Sequence, residues 1–457
     1  MTPAMQSGSA ARRKVTSFQA LFVVLCPSLG AQFSGSYPLL DGDVIRYQST
    51  PPDDPVARLQ RQLDGGTVKL GYRLPNGYLL SVLEHLNVPL SSQTLVFSKT
   101  SSQQPRISPA TPRALYFNDS VYVGWVQGGD FLELAAVDPV LGTMFYTLEQ
   151  REMQQPKFVH RQECLQCHAT PNTLGVPGLL MRSVFTAPDG VPDLRADSFV
   201  TTQSSPLQQR WGGWYVTGTH GNQRHMGNAF IQDKVHPERL DRESGANLTS
   251  LKERFDVSVY PTPHSDLVAL MILAHQTRTH DLITRVNWET RLALHEHAPM
   301  NQAAEQPAGV PADALPGQDR QRIERAVEIL LRSMLFSDEA RLEAPIRGTS
   351  TFAREFSATG PRDSAGRSLK DLDLNHRLFR YPCSFLIYSD AFNALPKPAL
   401  DCFYRRLWDV LNGKDPDGAF ATLTSFDRKT ILSILRQTKA DLPRYWRERE
   451  QSGGPQP

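Results

Sequence analysis

Short β-branched and aromatic runs mark the first half of the chain, whereas apolar residues spaced by three and four mark the second. Residues 95–97, 114–117, 121–125 and 144–148 are runs of the first kind, bounded by turn residues such as Asn118-Asp119 and Asp138-Pro139. Each predicts a strand. Before them, residues 56–63 predict a short amphipathic helix that Gly65-Gly66 stops. From Ser265 the period changes. Val268, Met271, Ile272, His275, Leu282, Ile283 and Val286 recur at helical spacing, with Ser265 placed as an N-cap. This predicts a long helix ending near His297, with His280, His295 and His297 on its solvated face. Further helices are expected over 318–335, 398–412 (stopped by Gly413) and 425–439.

The resulting expectation is an α+β fold with a strand-rich N-terminal half and a helical C-terminal half. Its divisions are a leader over 1–30, a strand-rich unit over 31–250 and a long-helix region over 251–298. A linker or surface loop over 299–317, a helical domain over 318–448 and a disordered tail over 449–457 follow.

The first thirty residues set the compartment. Arg12, Arg13 and Lys14 precede a short apolar run over 15–25, and Ser28-Leu29-Gly30 offers small residues before Ala31. That is the pattern of a cleaved secretory signal, and the run is too short to span a bilayer. The expectation is a periplasmic or otherwise exported protein without a transmembrane anchor. A content of 40% hydrophobic and 21% charged residues supports a packed core. A net charge of +2 gives no reason to expect nucleic acid as a partner.

The densest chemistry lies at Cys164-Leu165-Gln166-Cys167-His168. Two thiols three positions apart followed by an imidazole form the C-x-x-C-H pattern of covalent haem c attachment. One short turn lets Cys164 and Cys167 reach the two vinyl groups as thioethers, and His168 can then bind iron through Nε2 as the proximal ligand. The competing reading is a zinc site built from the same three residues. With Cys26 lost with the leader, Cys383 and Cys402 remain, either as a disulfide or as two separate thiols.

For the distal iron position, residues 210–228 combine glycines, aromatic rings, two histidines and a methionine. The candidates rank as His225, Met226, His220 and then His275, which shares the apolar stripe of the long helix. Arg161, Arg182 and Arg210 are candidates to pair with haem propionates, and Trp211 and Trp214 to pack on the ring.

The C-x-x-C-H motif makes the chain resemble a c-type cytochrome. Together with residues 165–170, 211–228 and 380–389, it resembles exported bacterial cytochrome c domain-containing proteins of undetermined role. That resemblance implies one haem c, iron, electron transfer and redox partner proteins. There is a single haem motif, where di-haem peroxidases carry two. The length of 457 residues exceeds what a small electron shuttle needs. It motivates a second reading, a peroxidase-like haem oxidoreductase in which His220 or His225 serves as a distal acid/base. A non-catalytic haem sensor or zinc-binding structural module is the third.

Overall fold

The computed structural model describes residues 40, 42–233, 235–303, 316–415 and 418–447, with no side chains over 297–303. The leader, most of the predicted linker and the tail lie outside the described residues. So does the side chain of His297.

Nine helices are described. They are α1 (Pro55–Asp64), α2 (Leu79–His85), α3 (Leu165–His168), α4 (Leu267–Ala303), α5 (Gly317–Met334), α6 (Phe352–Ala358), α7 (Asp390–Asn393), α8 (Lys397–Leu411) and α9 (Ser425–Thr438). The strands described are β1 (Thr94–Val96), β2 (Arg113–Phe117), β3 (Val121–Trp125), β4 (Phe131–Asp138), β5 (Gly142–Glu149), β6 (Val159–His160), β7 (Arg182–Val184), β8 (Ser198–Val200), β9 (Trp214–Tyr215), β10 (Gly218–Thr219) and β11 (Arg347–Gly348). The fold is α+β, with the sheet in the N-terminal half and helices in the C-terminal half.

Seven strands form one antiparallel sheet in the order β6-β5-β4-β3-β2-β1-β9. The register aligns Leu115, Gly124, Glu133 and Thr147 across four strands, and Arg113, Val96 and Trp214 across three. Side chains alternate along a strand. Trp214, Arg113, Gly124, Tyr122, Glu133, Phe145 and Thr147 therefore share one face. Residues of α4 cover part of that face: Gln276 donates to the Tyr122 hydroxyl at 2.8 Å, and the His280 ring meets the Tyr122 ring edge-on. The opposite face carries Tyr146, whose hydroxyl donates to Asp54 at the start of α1.

Helix α4 is the axis of the molecule. From Leu267 to Ala274 every side chain is buried, and Gln276, Thr279, His280, Asp281 and Thr284 are buried as well. Most buried polar groups of such a helix are paired internally; Gln276 Oε1 and His280 Nδ1 are buried without a partner. His280, expected on a solvated face, is instead buried with Nε2 2.9 Å from the carbonyl oxygen of Asp119, because the sheet covers that side. His295 is exposed.

The start of α4 differs from the expected cap. Asp266, not Ser265, accepts from the N–H groups of Val268 and Ala269, at 2.8 and 3.2 Å. Ser265 is used between elements: its hydroxyl accepts from the Leu95 N–H at 2.9 Å and donates to the Tyr215 carbonyl at 2.6 Å. The other oxygen of Asp266 accepts from the N–H groups of Thr349 and Ser350, both at 2.8 Å. Asp266→Ala is therefore expected to cost about 2 kcal/mol of unfolding free energy, the upper end for a lost cap, because it strands buried donors as well. Urea unfolding would test this, and a loss below about 0.5 kcal/mol, within the scatter of a neutral surface change, would reject the role given to Asp266.

Candidate functional site

The thiol–imidazole motif is built on two short turns. A 3₁₀ turn, Gln162–Cys164, runs directly into α3, which ends at His168. Leu165 is the buried anchor of this turn, Cys164 is half-buried and Cys167 is exposed. Both thiols are free. Burial pushes the Cys164 thiol up to about 11, with the Glu163 and Glu133 carboxylates acting in the same direction and Arg161 against them.

His168 is held at one ring nitrogen and open at the other. Its Nδ1 lies 2.9 Å from the Gly178 carbonyl oxygen, so the proton belongs on Nδ1 and the Nε2 lone pair is unprotonated. Burial holds the imidazole pKa below its ordinary value, with the Gly178 bond opposing. A neutral ring with a free Nε2 is the form that binds a metal. The loop that supplies Gly178 is closed on the motif by the Gly178 N–H, which donates to the His168 carbonyl at 2.8 Å. Thr173 adds a hydroxyl bond to the same carbonyl at 3.3 Å. The Phe145 ring stands 4.8 Å from the imidazole, on the sheet face that also carries Arg113 and Glu133.

Arg113 and Glu133 form an ion pair at 2.8 Å on that face, with side chains 21% and 16% exposed. Glu133 also accepts from the hydroxyls of Ser101 and Ser102, both at 2.7 Å. The Arg113 Nε–H is enclosed and has no acceptor. Neither residue is a candidate in the sequence reading. The available signal is a charged residue at an inward position of each of two strands, and in β4 the helix-favouring residues of 131–138 conceal it.

The other predicted contacts divide into groups. Arg161 stands beside the motif, donating to Thr147 Oγ1 at 2.8 Å and pairing with Glu163 at 3.5 Å. Trp214 shares the sheet face of Arg113, and its Nε1 donates to the Arg182 carbonyl at 2.8 Å. The Arg182 guanidinium donates to Ser198 Oγ at 2.9 Å. Arg210, by contrast, turns inward, donating to the carbonyls of Ser205 and Gln203, both at 2.8 Å. Burial lowers its pKa to about 10, against the Glu339 carboxylate.

Trp211, His225, His220 and Met226 form a separate packed cluster. The His225 ring lies 5.4 Å from the Trp211 ring and 4.8 Å from that of His220. His220 Nε2 accepts from the Asn247 N–H at 3.0 Å, while Nδ1 of both His220 and His225 lacks a partner. The Met226 sulfur accepts from the Ser183 hydroxyl at 3.6 Å, in an apolar pocket with Phe185 and Ile231. Gly212 lets this cluster dock against β7, since a Cβ there would sit 2.4 Å from the Val184 carbonyl oxygen.

His275 lies in a third place, in the core between α4 and the C-terminal segments. Its Nδ1 meets Gln203 Oε1 and its Nε2 lies 2.8 Å from Ser384 Oγ, so both nitrogens are occupied. The rings of Phe336, Phe379 and Phe385 surround it.

Burial lowers His275 to about 3 and His280 to about 4, well under the ordinary 6.5. The unfolded chain therefore takes up protons as pH falls through 6.5, while these two folded imidazoles do not. Their contribution to stability is complete above 6.5 and declines on acidification until the folded values are reached. Each gives a slope of about 1.4 kcal/mol per pH unit. His280→Asn is expected to make the decline between pH 6 and pH 5 shallower by one such slope, measured by urea unfolding. Identical pH profiles for wild type and variant would show that His280 is not held neutral.

Among the described residues, no three of histidine, cysteine, aspartate and glutamate converge as a metal-holding set. Cys164, Cys167 and His168 are thus a turn with three separate reactive atoms, not a preformed zinc cage. Cys383 and Cys402 are free, the first buried and the second half-buried. No described helix is long and apolar enough to cross a membrane. Comparison with protein-family models, curated proteins and solved structures finds no match.

Proposed function

We propose that this chain is an exported, periplasmic single-haem protein that passes electrons to and from redox partner proteins. The observation that carries the reading is His168, with Nδ1 engaged by Gly178, Nε2 free and two unpaired thiols on the same short turn. This donor set fits haem c: Cys164 and Cys167 would hold the vinyl carbons as thioethers, and His168 would hold the iron. The bound group would supply a one-electron ferric–ferrous couple, with its potential set by ligand, burial and nearby charge.

The chain's own residues then have definable tasks. Gly178 fixes the tautomer and rotation of His168. Phe145 limits the ring on its sheet side. The unpartnered Arg113 Nε–H and the nearby Arg161 are donors suited to a propionate carboxylate. The zinc reading has less support, because among the described residues no three of histidine, cysteine, aspartate and glutamate converge to hold a metal ion.

A second reading is an enzyme of peroxidase-like type with an open distal iron position. It is favoured by His275, whose two nitrogens are occupied, and by Met226, whose sulfur already accepts from Ser183 inside an apolar pocket. The test is the spectrum of protein expressed from the full-length chain together with haem-maturation machinery. The alkaline pyridine band of thioether-linked haem is expected. A colourless, zinc-loaded product would overturn both haem readings. Failure of the ferrous protein to bind carbon monoxide and of the ferric protein to bind cyanide would remove the enzymatic one.

A further inference from the structure

The peptide unit that joins Gly178 to Leu179 carries two hydrogen bonds pointing in opposite directions. Its carbonyl oxygen meets Nδ1 of His168 at 2.9 Å, and its N–H donates to Oδ1 of Asp281 at 2.9 Å. Asp281 comes from α4 and is 1% exposed. Its approach depends on residue 178 being glycine, because a Cβ there would lie 2.2 Å from Asp281 Oδ1. Negative charge at Oδ1 polarises the peptide, makes its carbonyl a stronger acceptor and thereby makes Nε2 of His168 a stronger donor.

We propose that Asp281, acting through the Gly178–Leu179 peptide, is a positioning residue that tunes His168 and ties the charge on the iron to a proton on its own carboxyl. The inference rests on the haem reading above. The groups facing Asp281 are Arg278, three residues earlier on α4, and the Tyr122 hydroxyl from β3. From the motif segment it meets the Leu179 N–H. Burial raises the carboxyl well above the ordinary aspartate range, with the Leu179 bond and Arg278 opposing. When one electron arrives from an external one-electron donor protein, Asp281 takes up one proton from solvent. When the electron leaves, the proton returns to solvent, and local charge is balanced in both states.

The experiment measures the midpoint potential of the haem-loaded protein between pH 5 and pH 9, for wild type, Asp281→Asn and Gly178→Ala. In wild type the ferric-to-ferrous ratio at fixed ambient potential is expected to rise up to tenfold per pH unit through the Asp281 titration, a slope of about 59 mV for a one-electron couple. Asp281→Asn keeps an oxygen for the Leu179 N–H but cannot titrate, so it should lose that segment of the slope. Gly178→Ala should lose it too by forcing Asp281 off the peptide. A flat wild-type profile overturns the proposal without any variant. Equal slopes in wild type and Asp281→Asn overturn it as well, since the slope would then belong to other groups. Absence of thioether-linked haem would instead defeat the functional reading on which this one stands.

Discussion

Replacing Cys164 and Cys167 together by alanine is expected to abolish covalent haem altogether, and His168→Ala to leave linked haem with altered iron coordination. The reasoning is local. Leu165 fixes the turn to the core, while the two thiols and Nε2 of His168 remain free of protein partners. Removing the thiols removes the covalent bonds at a small packing cost, since Cys167 is exposed and the half-buried Cys164 gives up only its sulfur contact with the core. Haem staining after denaturing electrophoresis and the pyridine spectrum report the linkage directly. Each single cysteine variant should retain one thioether, with its band displaced from that of the doubly linked form. Haem still covalently bound in the double variant would reject the motif as the attachment site.

His275→Ala is expected to lower the unfolding free energy by about 3 kcal/mol or more, combining a core cavity with two stranded polar partners. Gln203 and Ser384 both direct polar atoms at this ring, and three phenylalanines pack around it. The haem spectrum of the variant should match that of wild type, because a ring occupied at both nitrogens has no lone pair left for iron. Denaturant unfolding and optical spectroscopy on the same sample test both parts. A changed low-spin spectrum with unaltered stability would return His275 to the list of axial ligands. His225→Ala and Met226→Ala, examined in parallel, decide whether the cluster beside Trp211 approaches the iron.

Patterning alone located β1, β2, β3, β5 and three of the long helices to within a few residues, because their apolar periods agree with their burial; α4 runs to Ala303, six residues past the expected end near His297 and into the expected linker. Strand β4 was missed: Phe131-Leu-Glu-Leu-Ala-Ala-Val contains residues that favour helix, and its strand state comes from pairing along its full length with β5. The N-cap of α4 was misplaced by one residue for a related reason. Ser265 and Asp266 are both good caps, and only the arrival of Leu95, Tyr215 and residues 349–350 distributes their oxygens.

What the sequence by itself determined is the short-range chemistry: two thiols and an imidazole at fixed spacing must lie on one turn, whatever surrounds them. It determined equally that sheet precedes helix, since the period of two and the period of 3.6 are local properties. Only the tertiary structure decided which nitrogen of His168 is free, which carboxylate stands behind it and which histidines are occupied. Those outcomes depend on Gly178, ten residues beyond His168, and on Asp281, Gln203 and Ser384, brought in from distant parts of the chain. The physical reason is that a hydrogen bond acts over about 3 Å, and only packing brings such groups that close.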